Sequence, residues 1–124
     1  MLESSDLVAF VATSDAERAR AFYETTLGLR LLEQTPYACV FDAHGTQLRV
    51  TVAAQVSPAP YTVLGWAVAD IEASVGELAE RGVDFVRFDG MSQDALGVWT
   101  APSGGRIAWF RDPDDNLLSV TQFS

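Results

Sequence analysis

Few side chains in this sequence belong to the types that carry out covalent or metal chemistry. Cys39 is the only cysteine, His44 is the only histidine, and all eight positively charged residues are arginine. One cysteine allows neither an intramolecular disulfide nor a zinc site of several thiolates, and without lysine no Schiff base can form on a lysine amine. The alternating surroundings of Cys39, YACVF, indicate a buried thiol in a strand, and His44 lies in the turn DAHG.

The charge balance is acidic, with 17 Asp and Glu residues against 8 Arg and a formal net charge of −9. Such a charge disfavours a nucleic-acid backbone or an anionic membrane surface as partner, and it mildly favours cationic ligands. The first residues lack the pattern of a signal peptide, and no run of about 18 apolar residues occurs. We therefore expect a cytoplasmic protein that binds neither nucleic acid nor membrane.

The chain contains two copies of one plan, each a strand followed by Asp, an amphipathic helix and Gly. The first copy is LVAFVATSDAERARAFYETTLGL and the second is TVLGWAVADIEASVGELAERGV, so that Asp15 corresponds to Asp70. Ser14 and Glu17 have the spacing of a capping box, which predicts the start of the first helix. Asp70 is of the right type to cap the second helix.

Shorter runs with strand character follow each helix. They are LRLLEQ, YACVFD and TQLRVTVA in the first half and VDFVRFD, VWTA, RIAWF and NLLSVTQ in the second. Aligning Phe41 with Phe110, with one extra residue in the second turn, makes Arg49 equivalent to Ser119. The first half therefore has the order βαβββ, and the alignment assigns the same order to the second half, which carries one strand-like run more.

These repeats predict an α+β fold in which two tandem βαβββ modules form curved mixed sheets around a cleft. A helix covers only one face of such a sheet, so the other face is covered by the partner module, a second chain or a ligand. We expect one domain over residues 1–124, with module one at about 5–54, a linker at about 55–60 and module two at about 61–124.

The segment FRDPDDNLLSV resembles the F-x-D-P-x-G-N signature of the vicinal oxygen chelate (VOC) superfamily, which includes glyoxalase I, extradiol dioxygenases, fosfomycin-modifying enzymes and bleomycin resistance proteins. The two helix-start segments, SDAERARAFYETTLGL and VADIEASVGELAERGV, match the family as well, so that the resemblance covers essentially the whole chain. Asp115 stands where the signature has Gly, and Asp tolerates the left-handed conformation of such a turn. Asp112 and Asp114 are expected to hydrogen-bond the backbone of the turn.

Family enzymes hold a divalent metal with His, Gln or Glu side chains at four strand positions, two in each module. The resemblance carries these positions onto Val8, Arg49, Val63 and Ser119. None of the four is a suitable ligand, because valine has no lone pair and a guanidinium repels a cation. The sequence therefore resembles a metal-free branch of the superfamily, and we expect neither a metal nor another cofactor.

Strand alternation predicts which side chains face the cleft. They are apolar residues, hydroxyls, one amide and one arginine: Val8, Phe10, Ala12, Gln47, Arg49, Thr51, Val63, Gly65, Ala67, Leu117, Ser119 and Thr121. This composition suits a small organic ligand that is held by burial and oriented by few polar contacts. Arg49 requires an acidic partner or an anionic ligand group, and both alternatives stay open. Phe10 either stacks on a planar ligand or packs between the modules.

The tryptophans differ in their predicted positions. Trp66 has the opposite parity to Val63 and is expected in the core under the second helix. Trp109 and Phe110 face opposite sides of one strand, and alternation does not decide which of them reaches the cleft. Trp99 follows the polar stretch DGMSQDALG, either as part of a mobile lid or as a plain hairpin rim.

We predict a metal-independent binding protein that resembles bleomycin resistance proteins and sequesters a drug or metabolite in the clefts of a homodimer. The predicted ligand-binding residues are Phe10, Gln47, Arg49, Thr51, Tyr61, Trp99, Trp109, Ser119 and Thr121. The alternative is a glyoxalase-like lyase or isomerase, or another VOC enzyme with or without metal, in which Arg49 stabilises an oxyanion and loop residues move a proton. Candidates for the proton transfer are Asp89, Asp94 and Tyr61, and no residue is assigned as catalytic. A regulatory module with a vestigial cleft is a further alternative.

Overall fold

The computed structural model describes all residues from Met1 to Ser124, and the chain divides into two compact units, Met1–Ser57 and Pro58–Ser124. Each unit contains one four-stranded sheet. Its first and last strands pair in parallel and its other strands pair antiparallel, so that both sheets are mixed. This is the α+β architecture that the repeats predict. No helix in the chain combines the length and the apolar character needed to cross a bilayer.

Unit 1 has the order strand, helix and three strands. Its elements are β1 (Val8–Thr13), α1 (Ala16–Arg20) continued by a π-helical turn (Ala21–Thr26), β2 (Arg30–Gln34), β3 (Ala38–Ala43) and β4 (Thr46–Val52). The strands lie in the order β1-β4-β3-β2 and form sheet 1. Apolar side chains fill the helix side of the sheet, where Tyr23 of the π-helical turn and Phe41 of β3 are fully buried with ring centroids 5.9 Å apart.

Unit 2 repeats this plan with a break in one strand. Its elements are β5 (Leu64–Ala67), α2 (Ile71–Glu80), β6 (Trp99–Thr100), β7 (Arg106–Arg111) and β8 (Leu117–Gln122), and the strands form sheet 2 in the order β5-β8-β7-β6. The segment VDFVRFD was predicted as a strand, and this is wrong. It contributes one isolated bridge, from Phe85 to Phe110, and one backbone hydrogen bond of 2.8 Å from Val86 N to Trp109 O.

Residues 87–98 then leave sheet 2, and the chain returns as β6 along the same edge of β7. We call residues 87–98 the excursion. Gln93 and Asp94 of the excursion bond backbone groups of Val86, Gly97 and Val98 through their side chains, so these groups are not offered to a neighbouring strand. Two short pieces of chain, the bridge at Phe85 and β6, thus pair with the same edge of β7 and flank the excursion.

Both helices begin at the aspartates that the repeat aligns. Each carboxylate Oδ1, of Asp15 and of Asp70, accepts a hydrogen bond from the backbone N–H three residues later, at 3.2 and 3.1 Å. The capping box predicted at Ser14 and Glu17 is wrong by one residue, because Asp15 occupies the cap position. Thr13 fixes the backbone there, since its hydroxyl accepts from Asp15 N at 3.1 Å.

The strand registers agree with the internal duplication. Phe10 of β1 lies opposite Arg49 of β4, and Gly65 of β5 lies opposite Ser119 of β8. The antiparallel pairs of the two sheets follow the same alignment. Arg49 and Ser119 therefore occupy equivalent positions in their units, as the sequence alignment predicts.

The turn between β7 and β8 is organised by Asp112. Its Oδ1 accepts hydrogen bonds from the backbone N–H groups of Asp114 and Asn116, and its Oδ2 accepts from the Asn116 side-chain amide, all at 2.9 Å. Asp115 has a φ of 65°, the left-handed conformation that the family signature assigns to Gly. The turn role predicted for Asp112 is confirmed, and Asp114 contributes its backbone N–H to the same turn.

Candidate ligand-binding site

The face of sheet 1 that carries no helix, called here helix-free face 1, bears the side chains that alternation predicts for it. Its members on β1 and β4 form cross-strand pairs: Val8 with Gln47, Phe10 with Arg49, and Ala12 with Thr51. Phe10 is 62% exposed and Val8 is 40% exposed. Exposed large apolar side chains in one row mark a surface that is suited to contact with a ligand or another chain.

Arg49 has no carboxylate partner on helix-free face 1. Its Nη1 donates to Gln47 Oε1 at 3.2 Å, and it forms no ion pair. Asp42, the acidic residue opposite Gln47 on β3, lies instead 3.5 Å from Arg30. The salt bridge that was one alternative for Arg49 is absent, and its other guanidinium N–H groups stay available to an anionic group.

Three aromatic rings meet on the face of sheet 2 that carries no helix, called here helix-free face 2. Trp109 lies opposite Ser119, and its ring contacts Phe88 at a centroid distance of 5.3 Å and Trp99 at 6.2 Å. The interplanar angles are 86° and 37°. Phe110 is fully buried on the opposite side, so Trp109 is the member of that pair that faces away from the helix. We call Phe88, Trp99 and Trp109 the aromatic cluster.

Ser119 brings an unused hydroxyl next to the aromatic cluster. The residue is 6% exposed, and its Oγ forms no hydrogen bond with the protein. The indole N–H groups of Trp99 and Trp109 also have no acceptor in the protein. No fully buried side-chain polar atom in the chain lacks a partner, so these three groups are accessible at the surface of the sheet and can form hydrogen bonds with a ligand or water.

Gly65 determines the space around the Ser119 hydroxyl. A Cβ at position 65 would lie 2.7 Å from Ser119 Oγ, which is closer than real Cβ contacts allow. The glycine therefore leaves open the part of helix-free face 2 onto which the hydroxyl projects.

The remaining predicted residues occupy more varied places. Thr121 lies opposite Ala67 on helix-free face 2 and is half-buried. Tyr61 precedes β5, outside the strands, and is 66% exposed. Trp99 belongs to β6, which pairs with β7, so its backbone is part of a hairpin at the edge of sheet 2. Trp66 has the predicted parity, but it is only half-buried on the helix side.

Phe88 is the member of the aromatic cluster that the sequence reasoning missed. It is the sixth residue of VDFVRFD, the segment predicted as a strand, and it lies at the start of the excursion. No pattern in the sequence points to Phe88, and its position becomes evident from Val86, two residues earlier, whose N–H bonds to Trp109 O. Alternation from that hydrogen bond brings Phe88 to the face of Trp109.

The donor set does not fit the divalent metal that the fold family implies. The four positions that correspond to the family's ligands are Val8, Arg49, Val63 and Ser119. No three His, Cys, Asp or Glu side chains come together anywhere in the chain in an arrangement that could hold a metal ion. Two valines and a guanidinium cannot replace such a set.

The other side chains of reactive types have structural roles or lie in turns. Cys39 is fully buried, with Sγ 3.8 Å from Ala16 O, and burial raises the pKa of its thiol, which keeps it protonated at neutral pH. Asp94, a candidate for proton transfer, uses Oδ1 to accept hydrogen bonds from two backbone N–H groups at 2.9 Å. His44 lies in an exposed turn with a φ of 52°.

Comparison with known proteins agrees with this architecture. The sequence profile of the Glyoxalase/Bleomycin resistance protein/Dioxygenase superfamily matches residues 6–120. No curated protein matches the chain significantly. TnmS3, an antibiotic binding protein from Streptomyces sp. CB03234, is 30% identical with a TM-score of 0.76, and the match covers 100% of this chain and 99% of that chain.

Two further solved structures resemble the chain. A member of the same superfamily from Sphaerobacter thermophilus DSM 20745 is 25% identical with a TM-score of 0.75, covering 98% of this chain and 99% of that chain. Lactoylglutathione lyase from Agrobacterium tumefaciens is 19% identical with a TM-score of 0.70, covering 96% and 93%, a likeness of fold alone. The chain belongs to the Glyoxalase/Bleomycin resistance protein/Dioxygenase superfamily, also called the VOC superfamily.

Proposed function

We propose that the protein sequesters a planar aromatic drug or metabolite on helix-free face 2, without using a metal. The observation that carries this proposal is the aromatic cluster next to the free hydroxyl of Ser119. Aromatic side chains contribute large apolar contact area, and ring pairs add about 0.5–1.5 kcal/mol beyond that area. A flat aromatic molecule gains most from such a surface.

The polar groups of the site define the ligand further. Ser119 Oγ and the indole N–H groups of Trp99 and Trp109 supply hydrogen-bond donors close to the rings. A ligand that carries carbonyl or hydroxyl oxygens on its ring system matches these donors, and each hydrogen bond contributes about 0.5–1.5 kcal/mol. The proposed ligand class is therefore a planar aromatic compound with oxygen acceptors.

Two further observations favour binding over proton-transfer catalysis. The strand residues of helix-free face 2 include neither a carboxylate nor an imidazole, and general acid–base catalysis requires such a group within hydrogen-bond reach. TnmS3, at 30% identity over its full length, is an antibiotic binding protein. We propose further that the protein is a cytoplasmic homodimer.

The test is a titration of the metal-stripped protein followed by tryptophan fluorescence and thermal shift. The probes are planar aromatic antibiotics with ring carbonyls, bleomycin, aliphatic carboxylates, and the divalent ions of nickel, zinc, manganese and iron. A planar aromatic probe is expected to quench the emission and to raise Tm, because a ligand at about 100 times its Kd adds about 2.7 kcal/mol of stability. Trp109→Ala is expected to remove both effects.

Trp66→Phe is the matched control for this titration, because Trp66 lies on the helix side of sheet 2. This substitution removes one fluorescent tryptophan and is expected to leave the affinity for the aromatic probes unchanged. If the aromatic probes give no shift while a metal ion does, reversibly with chelator, the proposal is wrong and the enzymatic alternative is favoured. Equal losses of affinity in Trp66→Phe and Trp109→Ala would also contradict it.

A further inference from the structure

We propose that Gln93, in the excursion, is a positioning residue that fixes the geometry of the aromatic cluster. This inference rests on the proposed function, because it concerns the same site. It adds a residue that lies outside sheet 2 and that does not itself belong to the cluster. Two short pieces of chain pair with β7 on either side of the excursion, the bridge at Phe85 and β6.

The side-chain amide of Gln93 joins these two pieces. Its Oε1 accepts a hydrogen bond from Phe88 N at 2.8 Å, and its Nε2 donates to Val86 O and to Gly97 O, both at 2.9 Å. Val86 and Phe88 precede the turn of the excursion, and Gly97 lies two residues before Trp99. The backbone of Gln93 also forms an isolated bridge with Trp99.

Phe88 and Trp99 flank Trp109, and neither is held there by a long strand. Phe88 lies beyond the single bridge at Phe85, and Trp99 begins a strand of two residues. Gln93 bonds to the backbone of Phe88 and bridges to Trp99, so it sets the distance between the two outer rings of the cluster. In this way a side chain replaces the strand pairing that the excursion interrupts.

The three bonds specify glutamine at this position. One acceptor faces the Phe88 N–H and two donors face carbonyl oxygens. A glutamate of the same shape would direct a carboxylate oxygen at both carbonyls and lose two hydrogen bonds. An asparagine offers the same groups on a side chain that is one methylene shorter.

Other side chains of the excursion act at its far end. Arg87 Nη2 donates to the carbonyl oxygens of Asp94 and Ala95, at 2.7 and 3.0 Å. Asp94 Oδ1 accepts from Leu96 N and Val98 N. These contacts close the excursion on itself, and the side chain of Gln93 is the one that spans from Phe88 to Gly97.

The first experiment measures the geometry of the cluster without a ligand. Two indoles at the separation of Trp99 and Trp109, 6.2 Å between centroids, produce an exciton couplet in far-ultraviolet circular dichroism. Trp99→Phe in the parent protein identifies this couplet by removing it. Gln93→Glu is expected to reduce its amplitude by about half or more, because the chain before Trp99 loses its anchor.

The matched control is Gln34→Glu, the same chemical change in unit 1. The Gln34 amide donates to Glu17 Oε1 and accepts from Arg20, and both bonds lie within unit 1. It is expected to leave the couplet unchanged. If Gln93→Glu does not melt cooperatively, Gln93→Asn replaces it, because it keeps the donors and the acceptor and alters only their reach.

Ligand affinity is the second readout. Loss of one ring contact is expected to weaken a planar aromatic antibiotic about three- to tenfold in Gln93→Glu. A couplet that keeps its parent amplitude in a folded Gln93 variant overturns the inference. If the parent protein binds no aromatic probe but the couplet is still lost in Gln93→Glu, the positioning role stands and only the proposed function fails.

Discussion

Ser119 and Gly65 act together on helix-free face 2, because the glycine leaves the space into which the hydroxyl projects. Gly65→Ala places a methyl group 2.7 Å from the present position of Ser119 Oγ. The hydroxyl can rotate away, so we expect a change in unfolding free energy of less than about 1 kcal/mol. Affinity for a planar aromatic ligand is expected to fall about tenfold, since one hydrogen bond is lost and the surface is filled.

Gly76→Ala is the matched control for this substitution. Its Cβ would meet nothing within 4 Å on α2, and alanine favours a helix interior over glycine by about 0.5–1 kcal/mol. We expect higher stability with unchanged affinity, measured by urea denaturation and calorimetric titration. A loss of affinity in Gly76→Ala as large as in Gly65→Ala would mean that the effect at position 65 is not local.

Arg49 is expected to hold anionic groups on helix-free face 1. Its guanidinium has no carboxylate partner, and a charge-assisted hydrogen bond contributes about 1.5–3 kcal/mol. Arg49→Ala should weaken the binding of a small carboxylate ligand by this amount in a calorimetric titration. Arg18→Ala, an exposed change on α1, serves as the charge control. Equal affinities in parent and Arg49→Ala would show that Arg49 does not hold the carboxylate.

At single positions, prediction from the sequence was limited because strand alternation assigns residues to two faces without showing which face the helix covers. Alternation correctly puts Trp109 and Phe110 on opposite faces of their strand. Which face the helix covers is set by tertiary contacts, and these contacts place Phe110 in the core. Arg49 likewise lacks a carboxylate partner because Asp42 pairs with Arg30, and no spacing in the sequence reveals this pairing.

Among the elements, α2 depends on its N-cap. Asp70 Oδ1 accepts from Ala73 N at 3.1 Å, and removal of such a cap costs about 1 kcal/mol. We expect Asp70→Ala to lower the unfolding free energy by about this amount in urea denaturation, and Asp70→Asn to restore most of it. An equal loss in both variants would assign the effect to the charge of Asp70 and not to its hydrogen bond.

The elements were predicted best where the two halves of the sequence support one another. The repeat predicts both helices, the equivalence of Phe41 and Phe110, and the longer second turn. The excursion has no counterpart in the first half, so the repeat gives no guidance there. Gln93 and Asp94 are ordinary polar residues in the sequence, and their hydrogen bonds become evident only when the backbone around them is known.

At the scale of the whole molecule, we expect a homodimer. Phe10 and Val8 expose apolar surface on helix-free face 1, and burial of such surface drives association at about 25 cal/mol per Å². Light scattering at micromolar concentration should give twice the mass of 13.4 kDa. A net charge of −9 opposes association, so the dimer should strengthen as ionic strength rises.

Phe10→Glu tests the surface involved in this association. A carboxylate there adds charge and removes apolar area, so we expect the mass to fall toward that of a monomer. Tyr37→Glu is a control, because Tyr37 is also highly exposed and lies between β2 and β3. A monomeric parent protein would contradict the expected dimer.

The excursion has a consequence for the behaviour of the chain at high concentration. A long, regular outer strand offers unpaired backbone groups to other chains and is a template for aggregation. On the β6 side of sheet 2 the outer strand is only two residues long, and the chain next to it bonds to its own side chains. The segment that arranges the aromatic rings thereby also removes a place where amyloid-like strand addition would begin.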